Sequence, residues 1–151
     1  MRYFLDTEYN GMGGQLLSIG LVPEHGDQEF YAVLEVTEPI HEWVERHVMP
    51  YLHSVPPGLD ATPMSRAEAA HELEHYLGAD PDPLVVADWP EDLAQLCNLI
   101  VTGPAEIIDL QRLRLEFHRT PGFSTARNSR VPHNALHDAR ALREHLVGQE
   151  R

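Results

Sequence analysis

The chain opens with the stretch RYFLDTEYNGMGGQLLSIGLV, residues 2–22, and this stretch predicts the start of a β-sheet. Residues 2–6 and 16–22 are apolar runs, and the NGMGGQ between them is a glycine-rich turn signal. Residues 29–36, EFYAVLEV, form a third segment of strand character. Three strands joined by short connections predict a meander.

The remainder of the chain mixes helix and strand signals. Strands are predicted at LVVA, residues 84–87, which reads as buried on both faces, and at EIID, residues 106–109. Helices are predicted over 39–52, from the capping box of Ser65 and Glu68 to about Leu77, from Pro90 to about Val101, from about Leu110, and from Pro132. We therefore expect one α/β domain over residues 1–151, with a mixed five-stranded sheet flanked by helices.

Composition narrows the class of protein. Hydrophobic residues make up 42% and charged residues 23% of the chain, which is typical of a soluble globular domain. No run approaches the roughly 20 apolar residues of a membrane span, and Asp6 interrupts the N-terminus before a signal-peptide core can form. The single cysteine, Cys97, excludes an intrachain disulfide, and its apolar surroundings predict a buried position. We expect a cytoplasmic protein without a membrane partner.

Charge is distributed unevenly. The net charge of −13 argues against capture of nucleic acid by the surface as a whole. Residues 1–111 carry 3 Arg and 20 acidic residues, however, whereas residues 112–151 carry 8 Arg and 4 acidic residues, and the chain has no Lys. Arginine presents a planar fork that suits phosphate oxygens, so the C-terminal part is the better candidate for a phosphate-binding face.

Acidic residues recur where the predicted strands end. Asp6 and Glu8 would point to one face if the first strand reaches them, and two adjacent carboxylates repel each other unless a cation lies between them. The alternative is that the strand ends at Leu5 and both are solvated turn residues. Asp88 and Asp92 follow the buried LVVA strand. Carboxylates that converge in this way can hold two divalent cations, the equipment of phosphodiester hydrolysis.

His133 and Asp138 lie around the predicted start of the last helix. A separation of five residues turns about 140° on a helix, so the two side chains would flank a site rather than share one face. His133 is then a candidate general base and Asp138 a candidate metal ligand.

A second motif points elsewhere. Residues 71–75, HELEH, match the H-E-x-x-H pattern of zinc proteases, with His71 and His75 as ligands and Glu72 as base. On the predicted helix both histidines point away from the apolar face, and the sequence suggests no third ligand. We keep a zinc protease only as a minor alternative.

Taken together, FLDTE, an aspartate after a buried strand, a segment ending in IIDL and the pattern H-x-A-L-x-D-A resemble one family, the DEDDh exonucleases of the ribonuclease H-like superfamily. Within it, the opening RYFLDTEY…LLSIGLV and the closing HNALHDAR most resemble the small actinobacterial 3′–5′ exoribonucleases called ribonuclease AS. The middle motif departs from the family. Where an asparagine and an aromatic residue usually precede the aspartate, this chain has Asp88 and Glu91.

The resemblance implies stepwise hydrolysis of RNA from a single-stranded 3′ end with two Mg²⁺ or Mn²⁺ ions, and a homodimer as one form of the protein. By position, the metal ligands would be Asp6, Glu8, Asp92 and Asp138, with His133 and Glu8 catalytic. Asp109 matches a family aspartate that is not a ligand. We expect substrate contacts from Thr7, Asp88, Trp89, Arg127 and Arg130.

Several readings stay open on the sequence. Asp88 instead of Asp92 could be the third carboxylate ligand. A DNA exonuclease of the proofreading type, or a nucleic-acid-binding domain that has lost activity with its middle motif, would fit the same residues. Trp89 and Phe123 could stack on bases or pack inside the fold, and residues 11–14 could border a nucleotide or only connect two strands.

Overall fold

Strand β1, Arg2–Tyr9, is the central element of the sheet. The computed structural model describes residues 1–151. The other elements follow in chain order: β2 Leu16–Pro23, β3 Phe30–Val33, α1 Glu42–His47, a 3₁₀ turn Met49–Tyr51, α2 Arg66–Gly78, β4 Leu84–Ala87, α3 Pro90–Ile100, β5 Val101–Gly103, β6 Glu106–Ile107, β7 Arg114–Phe117, α4 Thr125–Asn128 and α5 Ala135–Gln149.

The main sheet has five strands in the order β3-β2-β1-β4-β7. β1 pairs antiparallel with β2, and β2 with β3, whereas β1 pairs parallel with β4, and β4 with β7. The predicted meander and the mixed α/β sheet are confirmed. β1 continues to Tyr9, with Asp6 opposite Gly20 and Glu8 opposite Ser18. The alternative in which the strand ends at Leu5 is therefore wrong.

The fifth strand is not the one that was predicted. Residues 106–109 contribute only the two-residue β6, which pairs with β5 in a separate hairpin, and no helix follows from Leu110. The Gly103–Pro104–Ala105 turn, with Ala105 at φ 58°, folds β6 back on the end of α3. The edge of the main sheet is filled by β7 instead, where apolar and polar side chains alternate from Leu113 to Phe117. That alternation was the signal for a strand.

Local signals placed the starts of α2 and α3 correctly. Ser65 and Glu68 form the capping box of α2, and Pro90 is the first residue of α3. α1 is shorter than predicted, and the polar segment before α5 contains the short α4. α5 begins three residues after Pro132, because the side chain of Asn134 accepts hydrogen bonds from the backbone N–H groups of Leu136 and His137 and so caps the helix there.

Both faces of the sheet are covered. On one face, Leu73 and Leu77 of α2 pack with Leu96 and Leu99 of α3. On the other, Leu136 of α5 belongs to a cluster with β2 and β3, and Leu142 to a cluster with β1 and β4. None of the helices has both the length and the apolar character needed to cross a bilayer. Cys97 is exposed on α3, so the prediction of a buried thiol is wrong.

A glycine sets how closely α5 approaches the sheet. A Cβ atom on Gly20 would lie 2.6 Å from the carbonyl oxygen of Ala135, closer than real Cβ atoms come to backbone. The absence of a side chain on β2 therefore lets the first turn of α5 lie directly on the strand. Because Gly20 pairs with Asp6, this contact also brings α5 to the carboxylates of β1.

Candidate active site

The alternation of β1 divides its polar residues between two faces. Tyr3 and Leu5 belong to the core beneath α2 and α3, so Thr7 points to that side. Phe4 packs with Leu142 of α5, so Asp6 and Glu8 point toward α5. The two carboxylates are only 8% and 9% exposed. A central strand thus holds both acids, as predicted, on one largely buried face.

α5 and the turn before it supply the facing groups. His133 has φ 63°, a left-handed conformation outside the helix, and its backbone N–H donates to Asp138 Oδ2 at 3.2 Å. Asp138 itself is 3% exposed. Glu8, His133 and Asp138 each offer a ligand atom, and these atoms lie within 4.8 Å of one another. The left-handed turn folds His133 back over the helix start, so the angular separation expected along a continuous helix does not apply.

The middle motif, with Asp88 and Asp92, approaches the carboxylates of β1 from the other face of the sheet. Asp92, in the first turn of α3, accepts hydrogen bonds at Oδ1 from the Thr7 backbone N–H at 3.1 Å and from the Thr7 hydroxyl at 2.6 Å. Asp88 follows β4, and its Oδ2 accepts from the Thr120 hydroxyl at 2.9 Å. Both aspartates line the cavity that also contains Asp6, Glu8, His133 and Asp138. The five carboxyl groups of the sequence motifs therefore share one cavity, of about 390 Å³.

No arginine lines this cavity. Burial, together with the neighbouring carboxylates, raises the pKa of Asp6 and of Glu8 well above the usual range. Burial also raises the pKa of Asp92 to about 7, although the hydrogen bonds from Thr7 act in the opposite direction. It raises the pKa of Asp138 to about 6. The protein thus concentrates carboxyl groups in a buried place without supplying a cationic side chain that would stabilise their ionised form.

The hydrogen bonding of Asp138 indicates whether a metal ion fits in the carboxylate cavity. Asp138 Oδ2 accepts the His133 N–H, but Oδ1 is buried and has no hydrogen-bond partner. A buried acceptor without a partner is costly, and a cation would satisfy it. Glu8, His133 and Asp138 could accordingly hold a metal ion. Asp6 and Asp92 line the cavity but lie outside this group of three, so the structure does not bring all four predicted ligands into one donor set.

His133 lies in an aromatic setting that the sequence did not suggest. Burial, and the neighbouring His47, lower the pKa of its imidazole. The ring of Trp43 meets it edge to face at a centroid distance of 5.2 Å. Trp43 is 55% exposed, although it lies among the apolar residues of the helix predicted over 39–52, whereas Val44 and Val48 fill the core. Ile40, Val44 and Val48 recur at every fourth position, which places them on one face of a helix. Trp43 does not belong to this series, and that spacing was the signal that it would not join the core.

The other predicted contacts divide into two groups. Trp89 is 59% exposed and lines the carboxylate cavity, as do Gly11 and Phe123, whose ring also stacks on His145 at 4.0 Å. Arg127 is exposed and does not line this cavity, and Arg130 lines a different one. The structure therefore places the aromatic residues at the carboxylates but not the two arginines.

The HELEH motif has no such surroundings. His71, Glu72 and His75 are exposed on α2, opposite the buried Leu73 and Leu77. They belong to no group of side chains whose ligand atoms lie close enough together to hold a metal ion.

Comparison with known proteins adds no assignment. No protein-family model matches this chain. No curated protein matches it either.

Proposed function

We propose that this protein is a metal-dependent 3′–5′ exoribonuclease of the ribonuclease H-like superfamily, similar to the DEDDh group and its ribonuclease AS members. The observation that carries the proposal is the shared cavity, in which five carboxyl groups and one histidine meet without a cationic side chain. The order of the mixed sheet is compatible with that superfamily. Sequence motifs that are far apart in the chain meet in this one cavity, which supports the proposal.

The chemistry follows from the environment of each residue. The carboxylates of Glu8 and Asp138, with Asp6 beside them, would hold divalent cations, and hard oxygen ligands favour Mg²⁺ or Mn²⁺. Such ions, when bound, stabilise negative charge on the attacking and leaving oxygens of a phosphodiester. Asp6 and Glu8 belong to a central strand, and Asp92 is tied to that strand by two hydrogen bonds, so the carboxylates are held rigidly.

His133 serves as the general base. Because burial lowers its pKa, the imidazole is neutral at neutral pH and can accept a proton from the attacking water. It faces Glu8 and Asp138 across the same cavity, so the proton acceptor and the metal ligands address one point.

The substrate enters between two exposed indoles. Trp43 and Trp89 both line the cavity and are more than half exposed, which suits them to stacking on bases of a bound strand. Stacking accepts every base, which suits an enzyme that removes nucleotides one after another. The choice of RNA over DNA rests on the family resemblance alone.

A cleavage assay tests the proposal. Single-stranded RNA with a 5′ label is incubated with protein in EDTA, in Mg²⁺ and in Mn²⁺, and matched DNA is run beside it. We expect a ladder shortening from the 3′ end only with metal. Asp138→Asn should abolish the ladder, and Asp109→Asn, on the exposed surface, should not. Cleavage of DNA alone would point to the proofreading type, and cleavage in excess EDTA would overturn the metal mechanism.

A further inference from the structure

A second cavity, of about 670 Å³, lies along another side of α5. Its walls are the connection before β3, the loop at residues 56–59, the end of α4, and α5 itself. Three arginines line it, Arg130, Arg140 and Arg143, together with the amides of Gln28 and Asn128. No other cavity described above gathers guanidinium groups in this way, and the function proposed for the carboxylate cavity does not use it.

Of the three guanidinium groups, only that of Arg140 is paired with a carboxylate. Arg140 is oriented by Glu29, which accepts from Nε at 2.7 Å and from Nη2 at 2.5 Å and leaves Nη1 without a partner. Arg130 forms no ion pair, and Arg143 only approaches the carbonyl oxygen of Pro23 at 3.5 Å. Two further acids, Asp27 and Glu144, also line the cavity, but both are exposed. Guanidinium N–H groups that line an open cavity and are not taken up by ion pairs are suited to phosphate oxygens.

The two cavities have no lining residue in common, but neighbouring residues of the same segments line them. Ser124, Thr125 and Ala126 line the carboxylate cavity, and Asn128 and Arg130, a few residues further along, line the arginine cavity. On α5, Asp138 lines the carboxylate cavity and Arg140 lines the arginine cavity. Residues 117–137, which connect the two, contain three arginines and no acidic residue. A strand that leaves the carboxylate cavity over this segment meets no negative side chain from it.

We infer that the arginine cavity binds backbone phosphates of the substrate strand, upstream of the nucleotide that is removed. The inference rests on the proposed function, because that function puts the 3′ end among the carboxylates. It assigns the two cavities different tasks. The carboxylates act on the terminal linkage, and Arg130, Arg140 and Arg143 hold the part of the strand that follows, so binding strengthens with strand length.

The test separates binding from cleavage. Binding of 5′-labelled single-stranded RNA, a dinucleotide and a decamer, is measured by fluorescence anisotropy in EDTA, over a range of salt concentrations. The variant Arg130→Ala/Arg143→Ala is compared with Arg66→Ala/Arg112→Ala, which removes the same charge from exposed positions that line neither cavity. Arg130→Lys/Arg143→Lys keeps the charge. Thermal melting checks that each variant is folded.

We expect the cavity variant to bind the decamer about tenfold or more weakly, and its log–log salt dependence to fall by about 1.4, at about 0.7 per phosphate contact of a single strand. The dinucleotide should bind as it does to wild type, the lysine variant should recover most of the salt dependence, and the control should change little. Equal loss in variant and control, or equal loss for both strand lengths, would overturn the inference. The inference would also be overturned if free mononucleotide displaced the decamer from the wild-type protein and binding did not depend on strand length. The cavity would then be a nucleotide site. Dinucleotide cleavage in Mn²⁺, measured separately, reports on the proposed function whatever the binding result.

Discussion

Replacing one buried acid should stabilise the metal-free protein while destroying its activity. Burial raises the pKa of Asp138 to about 6 from an ordinary value of 3.8. Each pKa unit corresponds to about 1.4 kcal/mol, so ionised Asp138 costs the folded state about 3 kcal/mol at pH 8. Asp138→Asn removes that charge and keeps an acceptor for the His133 N–H. The substituted side chain would still face Glu8, whose ligand atom lies within 4.8 Å of that of Asp138.

The sign depends on pH. A carboxyl group whose pKa is higher in the folded than in the unfolded state binds more protons when folded, so its contribution to stability falls as the pH rises between the two values. For Asp138 that window runs from 3.8 to about 6. The advantage of Asp138→Asn should therefore be absent near pH 3.5, grow through this window and be complete by about pH 7.

Thermal denaturation in EDTA measures the effect. Allowing for imperfect amide contacts, we expect a net gain of about 1–3 kcal/mol at pH 8, or roughly 3–10 °C in Tm for a chain of this size. Asp109→Asn, at an exposed aspartate, is the matched control and should not shift Tm. Added Mn²⁺ should raise the Tm of wild type but not of Asp138→Asn. A variant that melts below wild type in EDTA at pH 8 would refute the view that uncompensated charge is stored at this site.

Three further predictions, tested with five substitutions, concern individual parts of the site. His133→Ala should lower kcat by ~10²–10⁴-fold, the usual cost of losing a general base, whereas His71→Ala should leave the rate unchanged; both are read from initial rates on labelled RNA. Asp92→Asn should abolish metal-dependent cleavage and Asp88→Asn should leave substantial activity, and the opposite result would make Asp88 the ligand. Gly20→Ala places a Cβ 2.6 Å from the backbone of α5 and should cost about 1–3 kcal/mol in urea denaturation, with a loss of activity greater than the unfolded fraction explains.

Signals carried by neighbouring residues were readable in the sequence. The apolar runs around the glycine-rich turn predicted the meander, and Ser65 and Glu68 predicted the start of α2, because a turn and a capping box are made by residues a few positions apart. The pairing of Asp6 and Glu8 on one face was readable for the same reason, since alternation is a property of the strand itself.

Other features were decided by pairing between distant segments. The sequence alone could not show that β7, and not residues 106–109, pairs with the free edge of β4. All four residues of β7 are exposed, so the strand lacks the buried apolar positions that would have marked it in the sequence. The start of α5 depends on Asn134, whose amide also donates to the carbonyl oxygen of Tyr51, far away in the chain. His133 reaches Glu8 and Asp138 only because its backbone turns left-handed before that cap.

The sequence by itself determined which residues can do chemistry, because the acids, the histidine and the strand periodicity are written in the chain. Only the tertiary structure decided what each one does. It gathered five carboxyl groups into one cavity, raised the pKa values of four of them by burial, left Asp138 Oδ1 without a partner, and turned Arg130 toward a different cavity. The reason is that the energy of a charge depends on the solvent it loses and on the charges around it, and both are set by packing between segments far apart in the chain.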